Sequence, residues 1–194
     1  MVEKRTTERI ATAALKILLD EGAQAVTMRR VATDAGVTAM ATYRHYSNRE
    51  ALLRAVADEA IAQVTKDWQA RRDAGTFEAR LDGLTDAFLD FALGMPKLYT
   101  FVVAELRDDA LRFPGDFRDG GSPVFAPVLE AVAQSIEEGE LRADDDPLEV
   151  TLAIVTPAMG LVQLYHGGRM EMPEADFRAL CKRTIRRVIH GLRP

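Results

Sequence analysis

The sequence predicts an all-α protein in which a short N-terminal helical domain precedes a larger helical domain. Apolar residues recur at helical spacing along most of the 194 residues, and helix start and stop signals separate these stretches. Near the N-terminus, two short helical patterns face each other across a glycine turn. We therefore place a helix-turn-helix domain at residues 1–50 and an all-helical domain at residues 51–194.

The first predicted helix covers residues 6–21 and braces the helix-turn-helix. Its apolar stripe consists of four residues: Ile10, Ala14, Ile17 and Leu18. Gly22 ends the helix. Lys4 and Arg5 form a basic arm before it, which either touches phosphates or is a solvated terminus.

Residues 27–46 form the predicted helix-turn-helix. Thr27 and Thr38 occupy the N-cap positions of its two helices, and Gly36 supplies the left-handed backbone that ends the first one. Two helices of about two turns each, joined by such a turn, have the dimensions of a DNA reader. Any compact helical hairpin has similar caps and a similar turn, so this segment alone leaves both interpretations open.

The front of the second short helix suits the major groove of DNA. Its first residues are small or slender, so the backbone can approach base edges: Thr38, Ala39, Met40 and Ala41. One turn further on, Tyr43, Arg44 and His45 carry groups that can reach phosphates.

A fourth helix is predicted to start at a capping box, with Ser47 as N-cap and Glu50 at the third helical position. Its apolar spacing continues to about Arg72. Arg49 lies in the first turn, where the positive helix end favours a bound phosphate. An exposed ion pair within the helix is the alternative for Arg49.

Further helices are predicted in the larger domain over residues 77–93, 97–107, 124–138, 148–167 and 177–192. The irregular segment 112–123 is interpreted as a surface connection rather than a loop over a ligand entrance. Asp146 is the predicted N-cap of the helix over 148–167. The acidic run 144–146 therefore favours a stabilised helix end over a metal site. The basic side of the last helix favours a solvated surface over a second nucleic-acid patch: Lys182, Arg183, Arg186 and Arg187.

Composition bounds the class of protein. The 47% hydrophobic content supports a core, and the sequence has no run of eighteen apolar residues, so we expect no membrane span. The N-terminus lacks the apolar stretch of a signal peptide. A single cysteine, Cys181, fits a reducing cytoplasm.

Charge is distributed unevenly along the chain, whose net charge is −5. Residues 1–50 carry eight Lys/Arg against six Asp/Glu, and the remainder carries 17 against 24. A basic head on an acidic body would turn the head toward a phosphate backbone.

No motif for catalysis, a cofactor or a metal ion occurs in the sequence. It contains no glycine-rich phosphate loop, no Gly-x-Ser-x-Gly and no His-Glu-x-x-His. One cysteine and three scattered histidines exclude a zinc finger. We expect no enzymatic activity, no cofactor and no metal.

The segment from about Thr7 to Val56 resembles the N-terminal domain of the TetR family of bacterial transcriptional regulators. Five motifs of that family occur here in order: Glu21-Gly22, Thr27 to Ala32, Ala35 to Thr38, Tyr43 to Tyr46, and Arg49 to Leu53. The rest of the chain resembles the family only in length and helical character.

Three residues depart from the family pattern. Met40 stands where many members carry glycine or a small residue, so we expect it to alter which base sequence is read. Thr42 stands where leucine is usual and should weaken the core of the reading helix. Arg49 replaces the commoner lysine and keeps the charge.

The resemblance implies a ligand-responsive regulator, most often a repressor, that binds a palindromic double-stranded DNA operator as a homodimer. The implied base contacts are Thr38, Ala39, Met40 and Tyr43, with Arg29 from the preceding helix. The implied phosphate contacts are Thr27, Arg44, His45 and Arg49.

The resemblance also implies how the larger domain works. Its helices near 124–138 and 148–167 would pack against their copies through small apolar residues: Ala126, Val128, Ala131, Val132, Ala153, Ile154, Ala158 and Leu161. A small apolar effector would release DNA through the fourth helix. Residues proposed to line its pocket are Trp68, Phe88, Phe91, Tyr99, Phe101, Glu105, Phe125, Met159, Gln163 and His166. For each aromatic residue, ordinary core is the simpler interpretation, with His166 satisfied by a backbone carbonyl.

Two other classes of protein compete with a regulator. An all-helical carrier or enzyme with a structural N-terminal hairpin would need convergent acid–base groups, and the sequence offers only Glu105 and His166. A pure dimerisation protein would show no ligand-dependent change. Loss of specific DNA binding on replacing Tyr43 would discriminate against the carrier or enzyme.

Overall fold

The computed structural model describes residues 2–66, 68, 75–105, 110–118, 121–142 and 144–193. All regular structure in these residues is helical, which confirms the predicted all-α class. The helices are α1 (Val2–Glu21), α2 (Met28–Ala35), α3 (Ala39–His45), α4 (Arg49–Thr65), α5 (Phe77–Gly94), α6 (Pro96–Tyr99), α7 (Gly115–Arg118), α8 (Ala126–Glu137), α9 (Pro147–His166) and α10 (Glu174–Leu192). A 3-10 turn covers Ala23–Ala25, and a π-helical turn covers Thr100–Ala104.

The chain divides into two compact units. The first comprises Met1–Gln63 and Met95–Asp108, and the second comprises Val64–Gly94 and Asp109–Pro194. This division groups residues by contact, whereas the predicted boundary at residue 50 divides the chain by function. The functional boundary stays a prediction.

The core of the first unit forms around α1. The predicted stripe is buried, with Ile10, Ala14 and Leu18 fully inaccessible. α1 contacts the 3-10 turn, α2 and α6. Apolar residues of other elements in this unit are buried as well: Val26, Val31, Leu52, Leu53 and Leu98. The helix begins at Val2 rather than at residue 6, so Lys4 and Arg5 lie on its first turns and do not form a separate arm.

The turn between α2 and α3 depends on Gly36. Its φ of 63° and ψ of 40° place it in the left-handed region, as predicted. The Arg9 guanidinium on α1 donates to the carbonyl oxygens of Ala35 and Gly36, the second at 3.1 Å. A Cβ on residue 36 would lie 2.8 Å from Arg9 Nη2. The backbone angle therefore favours glycine here, and a side chain would also displace the end of the Arg9 guanidinium.

The N-caps of α2 and α3 are those predicted. The Thr27 and Thr38 hydroxyls accept from the backbone N–H of Arg30 (3.2 Å) and Ala41 (3.1 Å). The predicted capping box of α4 is wrong. Because this helix starts at Arg49, its cap is Asn48, whose Oδ1 accepts from the Ala51 N–H at 2.7 Å.

Two predicted elements of the body differ in detail. The predicted helix 97–107 is a short α-helix followed by the π-helical turn, and the backbone is extended at Glu105. The segment predicted to be irregular contains α7. α4 ends at Thr65 and Lys66 lies in a turn, so the predicted uninterrupted helix to Arg72 is wrong at this point. Of residues 67–72 only Trp68 is described, and it is helical and buried. Asp146 caps α9, with Oδ1 accepting from the Leu148 N–H at 2.8 Å, as predicted.

In the second unit, α5 contacts both α8 and α10. Arg80 on α5 is buried, and its Nη2 lies 3.2 Å from both Ser135 Oγ and Glu138 Oε2. Its Nη2 also lies 3.5 Å from Glu140 Oε1. These contacts join α5 to the C-terminal end of α8, because a buried cation is stable only with such partners.

A ladder of ion pairs joins α10 to α5. The pairs are Arg178 with Asp90 (2.8 Å), Lys182 with Asp86 (2.7 Å), Arg186 with Asp82, and Arg193 with Glu78 (2.8 Å). Two of the four cations predicted to form a solvated basic face, Lys182 and Arg186, therefore face carboxylates. The other two, Arg183 and Arg187, are exposed.

The small apolar surface predicted to join two subunits is mostly interior. Five of its eight residues are buried within the single chain: Val128, Ala131, Val132, Ile154 and Ala158. That part of the prediction is wrong, because these faces of α8 and α9 form the core of their own unit. The outward face of α9 keeps one of the eight, Ala153, and adds three residues at a spacing of three or four: Thr156, Gly160 and Leu164.

Taken singly, α9 is the one helix of the described residues that is long and apolar enough to cross a membrane. Its mean hydropathy is 1.5 over an 18-residue window, of which 33% is buried. One such helix is weak evidence for a membrane span, and the expectation of no span stays a prediction. The core helix of a soluble protein passes the same test of length and composition.

Replacing Gly36 with alanine should lower the free energy of unfolding by about 1–2 kcal/mol, because a Cβ destabilises the left-handed backbone. The Arg9 guanidinium would also have to move away from its two carbonyl oxygens. Denaturation in urea, followed by circular dichroism, measures the change.

Gly191→Ala is the control for this prediction. Gly191 lies within α10, and a Cβ there would have nothing within 4 Å. The free energy of unfolding of the Gly191→Ala variant should stay unchanged or rise. An unchanged Gly36→Ala variant would show that the turn tolerates a side chain.

Candidate nucleic-acid interface

The outward face of α3 is the most exposed part of the helix-turn-helix. Ala39, Met40, Tyr43 and Arg44 are all exposed, with Met40 73% and Tyr43 53% accessible. Met40 and Tyr43, three residues apart on the helix, are the two most exposed large hydrophobic side chains of the described residues. Thr38 is also exposed, so every residue predicted to touch bases from this helix is accessible.

The inward face of α3 is anchored by Thr42, which is fully buried. Its hydroxyl has no hydrogen-bond partner among the described residues. A buried hydroxyl without a hydrogen-bond partner costs free energy. The leucine that is usual at this position in the family has no polar group, so it would not incur that cost. The expectation that Thr42 weakens the core of this helix thus has a physical basis. Neighbouring Tyr46 is half-buried, and burial raises its pKa.

His45 joins the end of α3 to α1. Its Nδ1 lies 3.0 Å from the Thr7 hydroxyl, and the imidazole is half-buried. This contact fixes the ring against α1, a role that no local pattern in the sequence indicates. The predicted phosphate contact by His45 stays a prediction.

Arg29 and Arg30 are adjacent in sequence and differ in environment. The Arg30 guanidinium donates to both carboxylate oxygens of Glu21 and lies 4.0 Å from Asp34. The hydrogen bond from Arg30 lowers the pKa of Glu21. Arg29 is exposed on the same helix. Of the two, Arg29 therefore presents its charge outward, which agrees with its selection as a DNA contact.

Arg49 holds the chain between α1 and α2. Its Nη2 donates to the Ala23 carbonyl (2.6 Å) and its Nε to the Val26 carbonyl (2.7 Å). Its Nη1 is 3.4 Å from Glu50. The guanidinium thus bridges two backbone oxygens from fixed directions, which a lysine could not do. The predicted phosphate contact is left untested by these bonds.

An open groove of about 640 Å³ lies along α1 in the first unit. Its charged lining mixes both signs: Arg5, Arg9 and Lys16 against Glu8 and Asp34. This mixture favours no ligand of one charge. Among the described residues, no cluster of three or more His, Cys, Asp or Glu could hold a metal ion.

The ten residues proposed to line an effector pocket are divided between the two units. Tyr99, Phe101 and Glu105 belong to the first unit and the other seven to the second. Burial raises the pKa of Tyr99 to about 12. Gln163 is exposed, whereas Trp68, Phe91, Tyr99, Phe101 and Phe125 are buried. Their role as a pocket stays a prediction.

His166 is half-buried in the second unit. Burial lowers its pKa, and a hydrogen bond with the backbone of Ala92 opposes that effect. This bond is the partner expected if His166 is an ordinary structural histidine. The adjacent Tyr165 ring stacks on Phe177, with centroids 4.2 Å apart.

Sequence reasoning missed three residues that position this surface: Thr7, Arg9 and Glu21. Each contacts a residue at least nine positions away, so no local spacing could identify it. A basic residue on the polar side of α1 was the only signal for Arg9.

Models of two protein families match the chain. Residues 10–56 match the bacterial regulatory proteins of the tetR family, and residues 81–188 match the Tetracyclin repressor-like C-terminal domain. The second match alone covers more than half of the chain. No curated protein sequence matches the chain.

Solved structures share the fold over nearly the whole chain. One is a protein of unknown function from Rhodococcus sp. RHA1 (TM-score 0.77, 20% identity, 97% of this chain and 96% of that one). Another is the fatty acid degradation regulator FadR from Bacillus halodurans (0.71, 19%, 97% and 96%). A third is FadR from Bacillus subtilis in complex with stearoyl-CoA (0.75, 17%, 95% and 98%). At these identities the likeness concerns the fold.

Replacing Thr42 with valine should raise the free energy of unfolding by about 1 kcal/mol, because it removes a buried hydroxyl that has no partner. Thermal and urea denaturation measure the change. Thr151→Val is the matched control, since Thr151 is equally buried but its hydroxyl donates to the Pro147 carbonyl at 2.7 Å. A gain in both variants, or in neither, would contradict this account of Thr42.

Proposed function

The chain belongs to the TetR family of bacterial regulatory proteins and is a transcriptional regulator, and we propose that it is a cytoplasmic, homodimeric repressor. In this proposal two α3 helices enter successive major grooves of a palindromic operator. A small apolar effector binds the second unit and releases the DNA. The protein performs no catalysis.

One observation carries the proposal: the outward face of α3 exposes Met40, Tyr43 and Arg44 together at the tip of the helix-turn-helix. The opposite face is buried through Thr42, which fixes the direction in which the outward residues point. Small Ala39 and the Thr38 cap leave room for the backbone to approach base edges.

The charges of the first unit favour contact with phosphates beside this face. Arg30 and Arg49 are engaged by Glu21 and by backbone carbonyls, while Arg29 and Arg44 are exposed. Exposed cations on the reading helix and on the helix before it are well placed to position the unit on a duplex. Thr27 is exposed at the start of α2, and its hydroxyl is proposed as a further phosphate contact.

The outward face of α9 supports a homodimer. Its small and apolar residues, Ala153, Thr156, Gly160 and Leu164, let a second helix approach closely. A two-fold axis through such a face pairs each residue with its own copy, and two readers related by that axis require a palindrome. Half-sites about one helical turn, or about 34–36 Å, apart would fit this arrangement.

The proposed effector rests on the side chains of the second unit and on the ligand of one solved structure that shares the fold. The second unit contributes aromatic and apolar side chains to the candidate pocket, with Gln163 and His166 as polar groups. The FadR structure from Bacillus subtilis holds stearoyl-CoA, a long-chain acyl thioester. We propose a ligand of that class. The ligand need only bind the released state more tightly than the DNA-bound state. Helix α4 would transmit the conformational change to the helix-turn-helix.

Selection of duplexes from a random pool by the full-length protein, near physiological salt, tests DNA reading. Recovery of a palindrome is the expected result. Binding that is independent of sequence in the presence and absence of acyl-CoA would contradict the proposal. Sedimentation of the complex should give two chains per duplex.

Arg44→Ala should raise the Kd for the selected site about tenfold and for other duplexes by a similar factor. The reason is that a phosphate contact carries no sequence information. The slope of log K against log salt should fall by about 0.9 per subunit. Fluorescence anisotropy measures both quantities. Arg183→Ala removes an exposed arginine of the second unit and should change neither; equal losses in the two variants would reject the role of Arg44.

Stearoyl-CoA should raise the Kd for the selected site at least about fivefold at saturation, the lower range of allosteric coupling. Coenzyme A without an acyl chain is the control and should have little effect. Release by both compounds would indicate recognition of the nucleotide rather than the apolar chain. Release by neither would exclude an acyl-CoA effector.

A further inference from the structure

Met40 is the most exposed large hydrophobic residue of the described chain, at 73%, ahead of Tyr43, Phe113, Leu111, Leu164 and Met95. It lies on the first turn of α3, the part of a reading helix that comes nearest to base edges. A methionine held in water at this place gains free energy when an apolar surface covers it.

The neighbours of Met40 offer little polar chemistry. Ala39 and Ala41 flank it, and both side chains are single methyl groups. The Thr38 hydroxyl already accepts from the Ala41 N–H at 3.1 Å. The first turn of α3 thus surrounds Met40 with methyl groups and offers the Thr38 O–H as a side-chain donor, while further hydrogen bonds from Tyr43 and Arg44 would come from the following turn.

The major groove contains one apolar group that distinguishes base pairs, the C5 methyl of thymine. The other groups at base edges are hydrogen-bond donors and acceptors, which a thioether side chain cannot satisfy well. Methionine is flexible and polarisable, so it can adapt to a methyl group whose position is set by the duplex.

The support of α3 makes this contact specific. Its N-terminus is capped by Thr38, its inward face is buried at Thr42, and its end is joined to α1 through His45. A flexible side chain on a helix fixed at three points samples a small volume of the groove.

We propose that Met40 reads the C5 methyl group of one thymine in each half-site, by van der Waals contact. This inference rests on the proposed function and specifies a base and the atom that is read. Losing contact with one methyl group corresponds to about a fourfold change in Kd, and to about fifteenfold when both half-sites lose it.

The test uses the selected operator with each thymine replaced in turn by deoxyuridine, which removes only the methyl group. For the full-length protein at fixed salt, one symmetric pair of replacements should raise Kd by about fifteenfold. Met40→Ala should bind the thymine and deoxyuridine forms equally at that pair. Met95→Ala, an exposed methionine outside α3, should discriminate as the unaltered protein does.

Three outcomes would overturn the inference. The first is a specific site with no thymine whose methyl matters. The second is discrimination that persists in Met40→Ala, which would assign the methyl contact to another residue such as Ala39. The third is equal loss of discrimination in Met95→Ala. Failure to select any specific site would instead contradict the proposed function, so the two failures are distinguishable. Thermal denaturation of Met40→Ala should match the unaltered protein, because the side chain is exposed.

Discussion

The proposed DNA-reading surface depends on the contact between the Arg9 guanidinium and the last carbonyl oxygens of α2. The final carbonyls of a helix have no partner within it, and a cation near them is stabilised by the helix dipole. Arg9 supplies both a donor and a charge, and it does so from α1. At the other end of α3, Thr7 of the same helix contacts His45. α1 therefore positions α3 through the turn before it and through its last residue.

Local signals in the sequence were sufficient to predict most of the helix ends and turns of this unit. Thr27, Thr38 and Gly36 could be assigned because a cap or a left-handed turn involves residues only a few positions apart. The cap of α4 was misplaced by one residue, because Ser47 and Asn48 are both good caps and spacing did not separate them. The bonds made by Arg9 and Arg49 span 23 to 27 positions, so they follow from tertiary packing that periodicity does not encode. In the second unit, periodicity identified the apolar helices, and it could not show which apolar face of α9 is buried and which is exposed.

Pairing within the first unit decides which of its cations act outward. Glu21 engages Arg30, backbone oxygens engage Arg49, and Asp20 lies 3.1 Å from Lys16. A count of charges treats these groups alike, although a paired arginine contributes less field to an approaching duplex than an exposed one. The exposed cations of residues 1–50 thus include Arg29 on α2 and Arg44 on α3, the helix proposed to read bases, together with Lys4 and Arg5 on α1.

The ion-pair ladder of the second unit has a consequence for how α10 can move. Asp82, Asp86 and Asp90 are spaced by four residues, as are Arg186, Lys182 and Arg178 along the opposing helix. A slide by two residues would separate all three pairs, whereas a slide by four residues, about 6 Å, would form two new pairs, such as Asp86 with Arg186 and Asp90 with Lys182. The two helices therefore favour discrete positions along their axes, at which carboxylates and cations face each other, over intermediate positions.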